Sequence, residues 1–163
     1  MKQFIGKFFG SIDFIGLWLG LLGLRVILGW EFFESGREKY HGQNWFADIQ
    51  DKFPYPFNMF PTDISWHMAT WFELIGGIAL VIGLGTRFVG ICLFVLTIVA
   101  IASVHWPAAW ATFGELLRGY AITDHGHGNF KLPVIYMAML LPLILSGPGR
   151  LSVDTLIRRS IAK

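Results

Sequence analysis

Apolar and polar positions along the chain fall into long blocks rather than alternating residue by residue. Four blocks, residues 12–33, 64–85, 88–104 and 130–146, are apolar enough to be helices crossing a hydrocarbon layer. Such a layer is about 30 Å thick and takes roughly 17 to 25 helical residues. Membrane-spanning strands would be shorter and would alternate, so the pattern predicts an all-α fold: an antiparallel four-helix transmembrane bundle forming one domain over residues 1–163.

The connections between the blocks differ in length. About thirty residues join the first two, one or two join the second and third, and about twenty-five join the third and fourth. Both long connections therefore lie on one side. Lys2, Lys7, Arg87, Arg150, Arg158, Arg159 and Lys163 fall on the opposite side, against Arg37, Lys39, Lys52, Arg118 and Lys131 on the long-loop side. Basic residues accumulate on the cytoplasmic face, so this asymmetry predicts both termini in the cytoplasm.

Composition agrees. The chain is 54% hydrophobic and 15% charged, with a mean hydropathy of +0.54, where a soluble domain carries about a quarter charged residues. The amino-terminal MKQFIGKFFGSIDFIG has no small-residue cleavage site and the first apolar block is too long for a signal-peptide core, so it is expected to stay on the protein. Cys92 is the only cysteine, which excludes an intramolecular disulfide and CxxC redox chemistry. A net charge of +2, with scattered basic residues, does not suit nucleic acid.

The segments GLGTR and GPGRL each put glycine and then arginine at a helix carboxyl end, where glycine supplies a left-handed cap and arginine suits the dipole and the interface. The first long loop contains WFADIQDKFPYPFNMFP, which reads either as an aromatic belt anchor or as a re-entrant, lid-like segment. After Gly149, RLSVDTLIRRSIAK places Leu151, Val153, Leu156, Ile157 and Ile161 on one side of a short helix suited to lie on the inner leaflet.

Ionisable residues inside the apolar blocks are the first candidates for function, because a charge at mid-membrane costs several kcal/mol unless it faces the bundle and is paired. In or at the ends of the first two blocks they include Arg25, Glu31, Glu34 and Glu73. If the first span ends near Phe33 and the second begins near Ile64, Arg25 and Glu73 lie roughly 12 to 14 Å below the same surface at 1.5 Å per residue, and they are expected to pair. Such a pair either fixes helix register or holds a polar head group or a proton in an apolar pocket. Glu31 and Glu34, one turn apart, share a face at the outer rim.

All five histidines fall on the long-loop side of this topology. Asp124, His125 and His127, in DHGHGN, with His67 and His105 at span ends, are metal-ligand candidates suited to zinc, copper or iron. The alternative is that polar residues simply avoid hydrocarbon.

Three runs carry a family resemblance. RVILGWEFFESGREKY resembles the first-span signature of the DoxX family, FELIGGIALVIGLGTRF its second span, and SGPGRLSVD its ending after the fourth. The matching positions are Arg25, Gly29, Phe33, Gly36, Lys39, Glu73, Gly76, Gly77, Gly83, Arg87, Gly147, Pro148, Gly149, Arg150, Ser152 and Asp154. The resemblance implies a four-helix inner-membrane protein associated with redox or metal-handling systems, with a quinone or a transition metal ion as candidate cofactor and a protein partner in a membrane complex. It assigns no catalytic set. The expected function is thus a membrane subunit of a quinone-linked or metal-handling system, with a non-catalytic structural or assembly subunit as the alternative. A small carrier of metal or lipid comes third. Sequences for haem attachment, iron–sulfur ligation and nucleotide binding are absent, so electrons would need a partner.

Overall fold

The computed structural model describes residues 2–162; Met1 and Lys163, the latter one of the basic residues used for topology, lie outside the described residues. Among these residues every regular element is helical. They are α1 (Lys2–His41), three short 3-10 turns (Phe46–Asp48, Gln50–Lys52 and Phe57–Met59), α2 (Thr62–Ile82), α3 (Thr86–Ala100, continued by a π-helical turn at Ile101–His105), α4 (Phe113–Arg118), α5 (Lys131–Ser146) and α6 (Val153–Ile161). Two are long and apolar enough to cross a membrane, α2 and the continuous run Thr86–His105. The 16-residue α5 is apolar but shorter.

The helices pack in a closed circuit, α1 on α2, α2 on α3, α3 on α5 and α5 on α1. Leu28 and Phe32 of α1, Leu80 of α2, Leu93 of α3, and Leu140 and Leu143 of α5 fill its centre. Apolar side chains also cover the outside: Ile75 and Ile78 on α2, and Phe88, Ile91 and Ile98 on α3, are all exposed. Apolar residues inside and out are what a helix needs when its solvent is hydrocarbon.

The main departure from the sequence pattern is α1. It does not end at Phe33 but runs on to His41 as a single 40-residue helix. The run ESGREKY is polar yet rich in helix formers, and its inward-facing Lys39 is matched by Glu73 of α2, so nothing there stops the helix. Its packed portion starts at Trp18 and Leu21, which meet Arg150 and Gly149, and ends where Tyr40 meets Trp71. At Gly16 and Gly20, by contrast, an added Cβ would meet nothing within 4 Å.

The aromatic first loop folds back against the helices. Phe46 and Phe53 are buried with Trp66 and Ala69 of α2 and pack against Leu96 and Val99 of α3. Asn44 donates to Asp63 at 2.8 Å and pins the loop to the start of α2. The segment therefore packs through Phe46 and Phe53 onto α2 and α3, while Tyr55, Met59 and Phe60 stay exposed.

Candidate functional site

Residues 29, 33, 36 and 39/40 of α1 repeat at helical spacing and face α2. A Cβ on Gly36 would stand 2.7 Å from Leu74 N and 3.0 Å from Glu73 Cβ, and one on Gly77 would stand 2.6 Å from Gly29 O. Glycine alone lets the two backbones touch here. That closeness brings Lys39 onto Glu73 near the middle of α2. Lys39 Nζ donates to Glu73 Oε2 at 2.8 Å, to Glu73 Oε1 at 2.9 Å and to Ser35 Oγ at 3.0 Å. An ammonium has three hydrogens, and all three are used. The Glu73 side chain is 4% exposed and that of Lys39 16%.

The expected pair of Arg25 with Glu73 is therefore not formed. Glu73 does take its partner from the preceding helix, but the partner is Lys39. Because α1 continues to His41, its register on α2 shifts by about three turns, and Arg25 lies level with Val81 and Gly83 instead. Arg25 is fully buried. Its Nη1 donates to Val81 O at 3.4 Å and its Nη2 to Leu151 O.

Arg25 thus belongs to a clasp where the α2–α3 turn meets the chain after α5. Gly83 has φ +73°, and a Cβ there would fall 2.0 Å from Arg25 Nη1, so both its conformation and the space require glycine. Asp154 closes the clasp. Its Oδ1 accepts from Gly85 N at 2.7 Å and its Oδ2 from Thr86 N at 2.9 Å, while its own N–H donates to Gly83 O at 2.9 Å. It caps α3 from a distance of 68 residues. Burial pushes the Asp154 carboxyl up, but these backbone donors outweigh it and hold it below the usual carboxylate range. Ser152 caps α6 by accepting from Thr155 N at 3.2 Å, and Arg87 Nη2 donates to Leu145 O at 3.2 Å.

Glu31 and Glu34 are half-buried and sit on the opposite side of α1 from Glu73, toward α5. Tyr136 Oη donates to Glu31 Oε2, and Glu34 lies within electrostatic range of the same phenol. Glu31 thus links α1 to α5, and neither glutamate joins the Glu73 site.

Among the described residues no group of three or more His, Cys, Asp or Glu side chains, the candidates Asp124, His125, His127, His67 and His105 included, is placed to share an ion. Asp124 Oδ1 instead accepts from Gly126 N at 2.7 Å and Gly128 N at 3.0 Å, an Asx turn. His105 Nδ1 is hydrogen-bonded to Asn129 Oδ1 at 2.8 Å, and Asn129 N donates to His105 O at 3.0 Å, which ties the end of α3 to the start of α5. His67 and His125 are exposed. The side chains of Asp124 and Asn129 thus fold the loop.

Two apolar grooves open on the outer surface. One of about 260 Å³ lies between α1 and α2, floored by Gly29 and Gly77 and walled by Trp30, Phe33, Ile78 and Val81. The other, about 210 Å³, lies between α2 and α3 against Trp71, Ile75, Phe88 and Cys92. The first runs between the levels of Arg25 and Glu73, yet neither side chain lines it. The expected pocket thus has its place but not its polar groups. Lys39, Ser35 and Tyr136 are the site residues that sequence reasoning missed or misplaced.

Helices with buried, self-matched charges and an apolar exterior define a membrane protein. Residues 20–106 match the DoxX family, and the chain belongs to that family. The match takes in Arg25, Lys39, Glu73 and the GLGTR turn; SGPGRLSVD lies beyond it. The chain is also 49% identical over 145 residues to an uncharacterized protein of Haemophilus influenzae, covering 89% of this chain and 87% of that one. No solved structure matches.

Proposed function

We propose that the protein crosses the bacterial inner membrane four times, through α1, α2, α3 and α5 as an antiparallel bundle with both termini cytoplasmic, and acts as a non-catalytic subunit of a larger membrane complex. The observation that carries this reading is the way the buried charges are used. Lys39 spends its hydrogens on Glu73 and Ser35, and Arg25 turns to the carbonyls of Val81 and Leu151. These charges serve helix packing rather than a ligand. The orientation is supported by the same contacts: Lys39 lies inside the helix pack, so seven basic residues oppose four once it is removed from the long-loop side.

A second reading, an accessory subunit of a quinone-linked or metal-handling system, draws on the α1–α2 groove, which is open to lipid and suits an isoprenoid or acyl chain. Purification from native membranes separates the two. A co-purifying polypeptide in fixed ratio without extractable quinone supports the first, and about one quinone per chain overturns it in favour of the second. Reporter fusions at Lys52 and Thr123 are expected to read as periplasmic and one at Ala162 as cytoplasmic. A cytoplasmic Lys52 would reverse the orientation.

A further inference from the structure

Helix α6 presents an apolar face that none of the described residues covers. Leu156 is 63% exposed and Ile161 81%, and Ile157 is exposed beside them. At 3.6 residues per turn, Val153, Leu156, Ile157 and Ile161 occupy an arc of about 140°, interrupted only by Ser160. Arg158 and Arg159 lie about 60° beyond its two edges. An apolar sector flanked on both sides by arginines matches an interfacial helix whose stems lie along acyl chains while the guanidinium groups reach the head groups.

The location of the helix says what covers that face. Asp154 ties its first turn to Gly83, Gly85 and Thr86, the point where α2 ends and α3 begins, and Leu151 just before it accepts from Arg25. The amino end of α6 is thus fixed in the plane where two membrane-length helices meet. Arg150, set over the Trp18 ring at 5.7 Å, adds a third positive charge beside it.

We propose that α6 is a docking surface for the anionic leaflet of the bilayer: Leu156, Ile157 and Ile161 enter the acyl region, and Arg158 and Arg159 contact phosphate head groups. The clasp turns this into a structural contact, because the docked helix holds Asp154 at the start of α3 and Leu151 at Arg25. The proposal rests on the reading that α3 crosses the bilayer, and its test keeps the two apart.

Full-length Cys92→Ser protein carrying a single nitroxide at Leu156→Cys, Ile161→Cys, Ala162→Cys or Ile98→Cys is placed in nanodiscs of phosphatidylcholine alone, or of phosphatidylcholine with one quarter phosphatidylglycerol. Collision rates with oxygen and with a nickel chelate report depth. With phosphatidylglycerol, the labels at Leu156 and Ile161 are expected in lipid and the one at Ala162, on the opposite face, in water. The Arg158→Gln/Arg159→Gln variant should lower the ratio of docked to free helix by roughly thirtyfold, since each basic residue near an anionic surface contributes about fivefold. Leu156 and Ile161 labels exposed to water in both lipids would overturn the proposal. So would equal immersion with and without phosphatidylglycerol, or shielding from both reagents, which would mean a protein covers the face. The Ile98 label must lie in lipid in every case. If it meets water, the spanning reading of α3 fails and takes this proposal with it, whereas an immersed Ile98 with a wet α6 overturns the proposal alone.

Discussion

Glu73, near the middle of α2, receives both of its charge-assisted hydrogen bonds from Lys39 on α1, at 2.8 and 2.9 Å, and not from Arg25. The two candidate charges of the first two helices are thus separate devices. One locks α1 to α2 where their backbones touch at Gly36; the other locks the α2–α3 turn to the chain after α5. A buried pair of this kind is weak evidence for net stability, because desolvation opposes the attraction, but removing one member leaves the other charge stranded.

Glu73→Gln should therefore cost about 3 kcal/mol, and the double variant Lys39→Met/Glu73→Gln clearly less than the two single losses together. Thermal unfolding in detergent across the double-mutant cycle provides the measurement. A cycle between Arg25 and Glu73 should be additive instead. Strong coupling there, with none between Lys39 and Glu73, would contradict the observed pairing.

Much of this was legible in the sequence, and the misreading has a specific cause. The ends of α2, of α3 with its π-helical turn, and of α5 fall within about three residues of the edges of their apolar blocks, since hydrocarbon-facing residues define both. α1 defeated that rule because Glu34, Lys39 and their neighbours looked like a helix leaving the membrane, whereas Glu73 supplies the missing charge from another helix. Arg25, Gly29, Phe33, Gly36 and Lys39 do share one face at spacings of three and four, a signal that points to Lys39 as a partner for Glu73. The clasp could not be read from periodicity: Asp154 and Thr86 are 68 residues apart and meet through backbone donors, which leave no side-chain pattern. For the histidines, residue type suggested ligands while the adjoining glycines and Asn129 already described a turn.

Close backbone packing makes a sharp contrast among the glycines. Gly36→Ala would drive a methyl to 2.7 Å from the Leu74 backbone nitrogen. Backbone moves less readily than a side-chain tip, so the variant should lose about 2 kcal/mol. Gly20→Ala meets nothing within 4 Å and should be neutral or slightly stabilising, as helix propensity favours alanine. Parallel melting curves in one detergent decide it, and equal losses at both positions would refute the packing argument.

Asp154 gives a pH-dependent prediction. Its carboxyl is held below the ordinary range, so the folded state binds its proton less readily than the unfolded chain. The sign follows: the stabilisation is fully present above the unfolded value of about 3.9 and is lost as pH falls through the lower folded value. Asp154→Ala should cost about 1 kcal/mol near neutral pH, the usual size of a lost helix cap. The gap between wild type and variant should stay constant from neutrality down to about pH 5 and close below the ordinary aspartate value. A gap that persists unchanged well into acid would mean that the side chain stabilises by packing and not as a carboxylate.

The DHGHGN segment separates a metal centre from a folded turn. In the turn, the essential group is the Asp124 oxygen that accepts from Gly126 N and Gly128 N, together with Asn129 on His105. Asparagine also has a side-chain oxygen at that place, so Asp124→Asn should preserve the loop and Asp124→Ala should loosen it. Replacing the exposed His125 should change little. A metal centre predicts the opposite order: His125 and His127 would matter most, and Asp124→Asn would remove a charged ligand. Proteolytic susceptibility of the loop, measured with and without added Zn²⁺ at pH 7.5, reads both. The turn predicts that Asp124→Ala alone is cut faster and that zinc protects none of the variants. Zinc protection that disappears on replacing His125 or His127, and that fades as pH drops through the histidine range near 6.5, would show that these imidazoles gather around an ion.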